Sequence, residues 1–387
     1  MTVEYGFVSI GTLLEKGIIE SIQDGNHGGK HPKASDYVES GIPFIMANNL
    51  NLGYVDVVGA SKISEEQANG LRIGFAKSGD VLLTHKGTIG NTALVHDVEP
   101  YIMLTPQVTY YRVDQERLDN HYLLYCFRDT RFQKVIKSLA QQSTRPYIGI
   151  TAQRNLEIYF RPIEQQKRIV SFVRPYDDLI ENNRRRIQLL EESARLLYQE
   201  WFVHLRFPGY EQVTIIDGVP DGWDKKTLKS IATLNYGKAL KADNRVPGPY
   251  PVYGSSGEVG FHDKALVEGP GIVVGRKGNV GSVFWVNNDF FPIDTVYFIN
   301  KEEGDLFLYH ALKNVQFINT DVAVPGLNRE LAYSREILVP DKMNYQRFLS
   351  EVEPIQAQIN KLQDYNKKLA QARDLLLPRL MSGELSI

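Results

Sequence analysis

Residues 163–202 read IEQQKRIVSFVRPYDDLIENNRRRIQLLEESARLLYQEWF, and the spacing of their apolar side chains decides the fold. Apolar residues recur at alternating steps of four and three, which places them along one narrow stripe of a helix. We call this stripe the seam. Its members in this stretch are Ile169, Val173, Tyr176, Ile180, Asn183, Ile187, Leu190, Ala194, Leu197 and Trp201. The residues between them are largely charged, so the stretch predicts a long helix that packs its seam against another helix.

A second stretch near the end of the chain repeats the same rhythm. Its seam members are Phe348, Val352, Ile355, Ile359, Leu362, Asn366, Leu369, Arg373, Leu376 and Leu380. Val352 aligns with Val173 and Ile359 aligns with Ile180, so the chain contains an internal repeat of two long units. We expect the two helices to pair as an antiparallel coiled coil. Asn183 and Asn366 are polar seam residues, which either fix the register of the pair or lie at its edge.

We predict that the contact between the two helices uses a subset of these seam residues. It consists of Val173, Ile180, Asn183, Ile187, Leu190, Leu197, Val352, Ile359, Leu362, Asn366, Leu369 and Leu376. Pro175 and Pro354 precede the straight parts of the two helices. Because proline favours the first helical turn and disrupts a helix interior, we expect a kink or a restart at each of them.

The bulk composition limits the class of protein. The chain has 387 residues, enough for two or three domains, and 43% of them are hydrophobic without an apolar run that could span a membrane. The N-terminal sequence lacks a signal pattern, and the single cysteine, Cys126, excludes an internal disulfide framework. These features predict a cytoplasmic protein with a buried, inert Cys126. A net charge of -2 argues against a uniformly basic surface, so any nucleic-acid site must be a local patch.

The segments outside the two helices read as mixed α/β units. In the first unit we expect strands at 42–46, 55–58, 80–84, 92–96 and 108–113, and a helix over 119–139. The second unit repeats parts of the first, since GIVVGRKGNVG at 271–281 echoes DVLLTHKGTIG at 80–90. The fold class is therefore α+β, with mixed units at 1–162 and 207–342 and helical regions at 163–206 and 343–387.

Several motifs resemble the specificity (S) subunits of type I restriction-modification systems. EQQKRI at 164–169 leads into DDLIENNR at 177–184, VPDGW stands at 219–223, and DLLLPRLMSGE stands at 374–384. KGTIG at 86–90 and KGNVG at 277–281 are similar to a recurring turn of that family. Each motif alone is weak, but their order and duplication along nearly the whole chain make the resemblance strong.

This resemblance implies a division of labour. Each mixed unit would be a target-recognition domain that reads one half of a split double-stranded DNA sequence. The two helices would act as a spacer and dock two methyltransferase (M) subunits, with restriction (R) subunits joining the complex. S-adenosylmethionine, ATP and Mg would be bound by those partners, so this chain would need no cofactor and would not be an enzyme.

The residues agree with a non-catalytic chain. Neither a dinucleotide-binding glycine motif nor a phosphate-binding P-loop is present, and the Asn/Asp-Pro-Pro-Tyr/Phe signature of adenine methylation is absent too. His27 and His31 are four residues apart but lack a third ligand, so a zinc site is disfavoured. Two alternatives remain: a self-sufficient DNA methyltransferase or nuclease, and a coiled-coil scaffold without a DNA role. The missing motifs disfavour the first, and the divergent loops of the two units disfavour the second.

Loop residues whose side chains suit phosphates or base edges are the candidate DNA contacts. In the first unit they are Lys30, Lys33, Asn48, Asn49, Lys86 and Arg145, and in the second Lys238, Lys241, Arg245, Ser255, Ser256, Arg276, Lys277, Asn328 and Arg329. For each of them the alternative is a solvated surface residue or a turn former. Gly87, Gly90, Gly278 and Gly281 are better explained by turn geometry than by phosphate binding. The run 184–186 of three arginines is either a solvated helix face or a docking surface.

Overall fold

The structure is a computed structural model that describes residues 4–51, 53–141, 146–317 and 326–385. It divides into two compact units. The first unit comprises Met1–Asn182 and Asn366–Ile387, and the second comprises Asn183–Tyr365. Each unit combines strands with helices and contains part of both long helices, which establishes the α+β class.

In the described residues of the first unit, thirteen short strands form three sheets. They are β1 (Gly6–Ser9), β2 (Ile19–Asp24), β3 (Tyr37–Val38), β4 (Ile42–Ile45), β5 (Leu50–Asn51), β6 (Gly53–Val55), β7 (Ser61–Ile63), β8 (Phe75–Ala76), β9 (Val81–Thr84), β10 (Thr92–Leu94), β11 (Ile102–Leu104), β12 (Val108–Val113) and β13 (Glu157–Phe160). The strand orders are β2-β12-β9-β10-β6-β5, β3-β7-β4-β11-β8 and β1-β13. Only the β10–β6 and β4–β11 pairs are parallel in this unit's described residues.

The helices of the first unit pack onto these sheets. They are α1 (Ile10–Glu15), α2 (Glu65–Asn69), α3 (Asn120–Arg128), α4 (Thr130–Gln141), α5 (Ile150–Arg154) and the beginning of α6 (Ile163–Tyr198). Asp119 begins α3 as an N-cap, because its Oδ1 accepts from the Tyr122 amide at 3.0 Å. The apolar face of α3 then buries Tyr122 and Phe127 completely, in the core that also holds Tyr111 of β12.

Outside the undescribed segment 318–325, the second unit has eleven strands in four sheets. They are β14 (Ile215–Ile216), β15 (Val219–Pro220), β16 (Asp224–Thr227), β17 (Asn235–Tyr236), β18 (Tyr250–Gly254), β19 (Gly257–His262), β20 (Gly271–Gly275), β21 (Val283–Val286), β22 (Phe291–Pro292), β23 (Val296–Ile299) and β24 (Glu336–Val339). The strand orders are β17-β23-β20-β21, β19-β18-β22, β16-β24 and β14-β15. Its helices are α7 (Leu228–Ile231), α8 (Leu306–Asn314), α9 (Arg329–Tyr333) and α10 (Lys342–Ser382), the last of which continues into the first unit.

The two units share one strand arrangement. The run β2-β12-β9-β10 corresponds to β17-β23-β20-β21, with antiparallel pairing throughout. The parallel pair β4–β11 corresponds to β18–β22, and β1–β13 corresponds to β16–β24. The sequence echo between residues 80–90 and 271–281 therefore reflects a duplicated fold.

Helices α6 and α10 run through their internal prolines. Pro175 lies inside Ile163–Tyr198, and Pro354 lies inside Lys342–Ser382. The restart that we predicted at these residues is wrong. Val173 is fully buried and Asp177 is 6% exposed, so packing on both sides of Pro175 compensates for the hydrogen bond that proline cannot donate. A π-helical turn, Gln199–Val203, follows α6.

Within each unit the two long helices pack antiparallel. In the first unit, Arg161 at the start of α6 donates to the Met381 carbonyl at 2.8 Å, and Asn366 donates to the Ile180 carbonyl at 3.3 Å. In the second unit, Phe202 stacks edge-on against Phe348, with ring centroids 5.0 Å apart. The predicted antiparallel helix pairing is confirmed.

Two further expectations are corrected by the structure. The helix expected over 119–139 is two helices, because Asp129 ends α3 and its Oδ1 accepts from the Arg131 amide at the start of α4. The strand expected at 55–58 ends at Val55. Among the described helices, none combines the length and the apolar character that crossing a bilayer requires.

Candidate nucleic-acid interface

The repeated Lys-Gly turn of the first unit joins β9 to β10. The Thr84 amide donates to the Asn91 carbonyl at 2.8 Å, and the Gly90 amide donates back to the Thr84 carbonyl at 3.0 Å. Gly87 and Gly90 have φ angles of 76° and 97°, which residues other than glycine rarely adopt. Lys86 stands exposed at the tip of this turn.

The second unit repeats both of these hydrogen bonds. Gly275 donates to the Ser282 carbonyl at 2.7 Å, and Gly281 donates to the Gly275 carbonyl at 2.9 Å. Gly278 and Gly281 have φ angles of 76° and 79°. Their left-handed backbone agrees with the turn-geometry explanation of all four glycines. Lys277, like Lys86, is exposed on its turn.

The residue that precedes each lysine is held between two other loops. In the first unit, the His85 amide donates to the Gln107 carbonyl at 2.9 Å, and the His85 carbonyl accepts from Ile148 at 3.0 Å. In the second unit, the Arg276 amide donates to the Thr295 carbonyl at 2.9 Å, and the Arg276 carbonyl accepts from Leu327 at 2.7 Å. Positions 85, 107 and 148 therefore correspond to positions 276, 295 and 327.

A third loop reaches the same place after β2 and after β17. Gly25 donates to the Val108 carbonyl at 2.9 Å, and Gly237 donates to the Val296 carbonyl at 3.2 Å. A Cβ atom at Gly25 would lie 2.0 Å from the Thr105 carbonyl oxygen, and one at Gly237 would lie 2.0 Å from that of Ile293.

Each of these two sites therefore requires a glycine. The loops 24–33 and 237–249 share no alignable sequence, yet the structure aligns Asp24-Gly25 with Tyr236-Gly237.

The side chains mounted on this shared backbone differ between the units. In the first unit, the buried His85 ring faces Asp24, with 3.8 Å between His85 Nε2 and Asp24 Oδ1. Burial lowers the pKa of His85, and the Asp24 carboxylate partly opposes that shift. Tyr147, half exposed, lies 5.5 Å from the imidazole, measured between ring centroids. This surface therefore combines one carboxyl group, an imidazole that burial keeps neutral and a phenol, with Lys86 as its cation.

In the second unit, Arg276 takes the position of His85, and Arg329 lies on the same tyrosine ring. The guanidinium carbons of Arg276 and Arg329 lie 5.0 and 4.9 Å from the centre of the Tyr236 ring. Tyr236 is 49% exposed, so this cluster faces solvent. Lys238 follows Tyr236 in the chain, and Lys277 follows Arg276.

The predicted DNA contacts differ in exposure. The exposed residues are Lys30, Lys33, Asn48, Lys86, Lys238, Lys241, Ser256, Lys277 and Asn328, and the half-buried ones are Arg245, Ser255, Arg276 and Arg329. Arg145 lies outside the described residues. Asn49 is buried, and its Oδ1 accepts from the Met46 amide at 2.9 Å, so it forms a turn and we withdraw it as a DNA contact.

The structure brings some of these residues together and separates others. In the second unit, Ser255 Oγ accepts from the Asn279 amide at 3.4 Å on the Lys-Gly turn, beside the Arg276 cluster. In the first unit, Ala47, next to Asn48, donates to Gln107 Oε1 at 3.2 Å. Arg245 lies elsewhere, because its guanidinium donates to the Val259 carbonyl. Lys30, Lys33 and Lys241 stand further along their loops.

Sequence reasoning missed several residues at the two surfaces. They are Asp24, His85, Gln107, Tyr147 and Tyr236. The repeat itself offered a signal for one of them, since aligning THKG at 84–87 with GRKG at 275–278 puts His85 opposite Arg276. The others are brought there by loops that are distant in sequence.

The seam residues are all at least partly buried. Val173, Ile180, Asn183, Val352, Ile359 and Leu362 are buried, and Ile187, Leu190, Leu197, Asn366, Leu369 and Leu376 are half-buried. Leu189 and Leu196, which lie off the seam, are 71% and 46% exposed.

A buried ionic group accompanies the seam in the first unit. Asp177 Oδ1 accepts from Arg373 at 2.7 Å, and its Oδ2 accepts from Arg128 and from the Tyr125 hydroxyl, both at 3.0 Å. This carboxylate therefore ties α6 to α10 and to α3.

The described residues contain no group of three or more His, Cys, Asp or Glu side chains that could hold a metal ion. His27 and His31 direct their Nδ1 atoms to backbone carbonyls, of Gly25 at 3.2 Å and Asn26 at 3.1 Å. Cys126 is buried, and burial raises the pKa of its thiol well above the usual range.

Comparisons with known proteins agree with this duplicated architecture. The family model described as "Type I restriction modification DNA specificity domain" matches residues 15–192 and 220–347, which is more than half of the chain. The MjaIX specificity subunit of Methanocaldococcus jannaschii is 24% identical, over 99% of this chain and 97% of that protein. The HindI specificity subunit of Haemophilus influenzae is also 24% identical, over 68% of this chain and 76% of its own length.

A solved structure shares the fold. The type I restriction-modification S subunit from M. genitalium superposes with a TM-score of 0.51 at 17% identity, covering 98% of this chain and 96% of its own. The chain therefore belongs to the type I restriction-modification DNA specificity family, in which it is a subunit for DNA target recognition and not a catalytic one.

Proposed function

We propose that this chain recognises a bipartite double-stranded DNA target, with each unit reading one half, and that its helices dock the M and R subunits. The observation that supports this most directly is the pair of surfaces around the Lys-Gly turns. Five backbone hydrogen bonds correspond between these surfaces, whereas Asp24 and His85 are replaced by Tyr236 and Arg276. A shared backbone with different side chains is what two readers of different base sequences require.

The exposed lysines suit a sequence-independent part of the same contact. Lys86 and Lys277 stand at equivalent turn positions, and neither has an ion pair among the described residues. An ammonium group on a protruding turn neutralises a phosphate well, because the contact needs no particular base. Lys86 and Lys277 would then set the register of each unit on the duplex, while the neighbouring side chains read bases.

The outer faces of the long helices suit protein partners. In the first unit, Phe172 and Leu179 are 50% and 53% exposed and lie seven residues apart on α6. In the second unit, Leu189 and Leu196 repeat that spacing, and Leu196 is 46% exposed. Large apolar side chains aligned at heptad spacing outside the seam form a stripe that another protein can cover.

An exchange of one unit tests the bipartite target. The chain is expressed with its M subunit, and the methylated adenines of the host genome are mapped by sequencing. Replacing residues 206–342 by the equivalent segment of a relative should change one half of the methylated motif and leave the other half intact. Replacing residues 1–162 is the matched control and should change the opposite half. A change in both halves, or in neither, contradicts independent reading.

The same cells separate the alternatives. Co-purification of M with this chain, together with no binding of S-adenosylmethionine by the isolated chain, agrees with a docking subunit. Methylation in the absence of M would support a self-sufficient methyltransferase, and M binding without a sequence-specific motif would support a scaffold.

A further inference from the structure

We infer that Arg329, held on the ring of Tyr236 beside Arg276, determines specificity by reading a guanine in the half-site of the second unit. This inference rests on the proposed function, and it names the residue and the base where that proposal names only the surface. Tyr236 and Arg276 are positioning residues for Arg329.

The first argument concerns charge. Two guanidinium groups lie within 5.0 Å of the centre of one tyrosine ring. Within the described ranges, neither Arg276 nor Arg329 has a carboxylate oxygen within ion-pair distance, and Asp294 offers Arg276 only its backbone carbonyl, at 3.2 Å. Like charges repel, and the ring offsets only part of this cost. A partner rich in acceptors would remove the repulsion, and DNA is such a partner.

The second argument concerns free donors. Arg276 stacks on both Tyr236 and Tyr297 and uses Nη1 to hold the Asp294 carbonyl, so its guanidinium is anchored. Arg329 stacks on Tyr236 and Tyr333, and its guanidinium has no hydrogen-bond acceptor in the part of the chain that the structure describes. All five of its N–H groups are therefore available in a fixed plane. A planar fork of this kind matches the O6 and N7 acceptors of guanine in the major groove.

The third argument concerns orientation. Arg329 is the first residue of α9, and the N-cap of that helix is fixed because Asn328 Oδ1 accepts from the Glu330 amide at 2.8 Å. The Leu327 amide is bound to Arg276, which ties this cap to the Lys-Gly turn. A side chain that is half-buried, stacked on two rings and mounted on a fixed cap loses little entropy on binding. Such preorganisation favours base reading over a loose phosphate contact.

The first unit lacks this arginine–tyrosine arrangement at the equivalent positions. The equivalent position at the start of α5 is Ile150, and the position of Tyr236 is taken by Asp24. Ile150 has no hydrogen-bond donor in its side chain, and Asp24 accepts from the Thr109 hydroxyl at 2.7 Å. The guanine contact therefore belongs to the half-site of the second unit alone.

The test uses the full chain with its M subunit. The wild-type motif is first mapped by sequencing, and the half-site of the second unit is identified by the 206–342 exchange. Three variants follow: Arg329→Ile, which installs the residue of the first unit, Arg329→Lys, which keeps the charge but not the fork, and Lys277→Ala as the control for a phosphate contact. Binding is measured on duplexes carrying guanine or 7-deazaguanine, which lacks N7, at each guanine of that half-site.

We expect 7-deazaguanine at one position to weaken wild-type binding and to leave Arg329→Ile unaffected. Discrimination at that position should fall roughly 5- to 150-fold in Arg329→Ile, the range for one bidentate contact. Arg329→Lys should lose most of this discrimination while keeping its non-specific affinity, and Lys277→Ala should weaken binding to every sequence equally.

The inference is overturned by a second half-site without guanine, or by Arg329 variants that bind more weakly but keep the motif, as a phosphate contact would. If Arg329→Ile does not fold, Arg329→Lys alone decides, because full discrimination by that variant excludes a bidentate reader. Failure of the proposed function looks different: the wild-type chain would then yield no two-part motif in which the unit exchange changes one half.

Discussion

Replacing Asp177 by Ala should destabilise the first unit far more than replacing its neighbour Asp178. Asp177 is 6% exposed and accepts three hydrogen bonds, from Arg373, Arg128 and Tyr125, at 2.7 to 3.0 Å. Asp178 pairs with Arg174 across one helical turn at 3.3 Å, with both side chains at least half exposed. The two carboxylates are adjacent on the same helix and differ mainly in burial.

The structure sets the size of the effect. Removing one partner of a buried ion pair costs about 3–5 kcal/mol, because the remaining charge stays buried without compensation. Arg128 and Arg373 line a cavity of about 660 Å³, which water can enter, and Arg373 keeps Asp374 at 2.8 Å. Both features reduce the penalty, so we expect the low end of that range, about 3 kcal/mol. An exposed pair is worth about 0–1 kcal/mol.

Thermal unfolding followed by near-ultraviolet circular dichroism measures the difference. For a unit of roughly 200 residues, about 3 kcal/mol corresponds to a fall in Tm of about 6–12 °C. Asp178→Ala should lower Tm by no more than about 4 °C. Arg373→Met combined with Asp177→Ala should recover part of the loss, because only one of the two buried arginines, Arg128, is then left facing the empty site. Equal shifts for the two Asp variants would refute the reasoning.

Three further predictions use other parts of the chain. Lys86→Ala or Lys277→Ala should reduce the slope of log affinity against log salt by about one; an unchanged slope with a lower Tm would mean that the lysine only supports its turn. Burial lowers the pKa of His310 to about 4, below the unfolded value of about 6.5. The unfolded state therefore binds more protons between these values, and the second unit should lose up to roughly 3 kcal/mol as pH falls from about 6.5 to 4, a loss that His310→Gln should remove in urea titrations. Four residues inserted within 191–198 lengthen α6 by about 6 Å, so the unspecified middle of the methylated motif should grow by one or two bases, and an unchanged motif at full activity would exclude the helix as the spacer.

The periodic parts of this fold could be predicted from the sequence. The 4-3 seam fixes two long helices because a helix repeats its environment every few residues, and each seam position carries that signal independently. The sequence also contains a signal for the break at Asp129, since Asp followed by Thr-Arg is typical of a helix N-cap. The apolar stripe continues on both sides of Asp129 and therefore predicted one continuous helix.

The restart expected at Pro175 fails for a different reason. Proline disfavours a helix interior locally, whereas the burial of Val173 and Asp177 depends on packing that a local rule does not include. Tertiary contacts override the local preference here.

The candidate surfaces were only partly predictable. Lys86 and Lys277 are visible because the turn repeats as sequence. The correspondence of Asp24 with Tyr236 is not visible, because it depends on Gly25 and Gly237 approaching carbonyls of residues 105 and 293. Such a close backbone contact requires a glycine, but the glycine in the sequence does not show which carbonyl group it contacts. Tyr147 and Arg329 lie on loops that are distant in sequence from the Lys-Gly turns. A single sequence does not show that these loops contact the turns.

The division of the long helices between the units has a consequence for synthesis on the ribosome. The second unit is one continuous segment, Asn183–Tyr365, whereas the first needs Asn366–Ile387 to complete it. Val173 packs in the same core as Leu377, Leu380 and Met381, so the nascent first unit has an open groove along α6 until those residues emerge. Synthesis of the first unit therefore begins first, but this unit completes its fold last. Its apolar groove stays exposed during translation, when it can bind other exposed apolar surfaces.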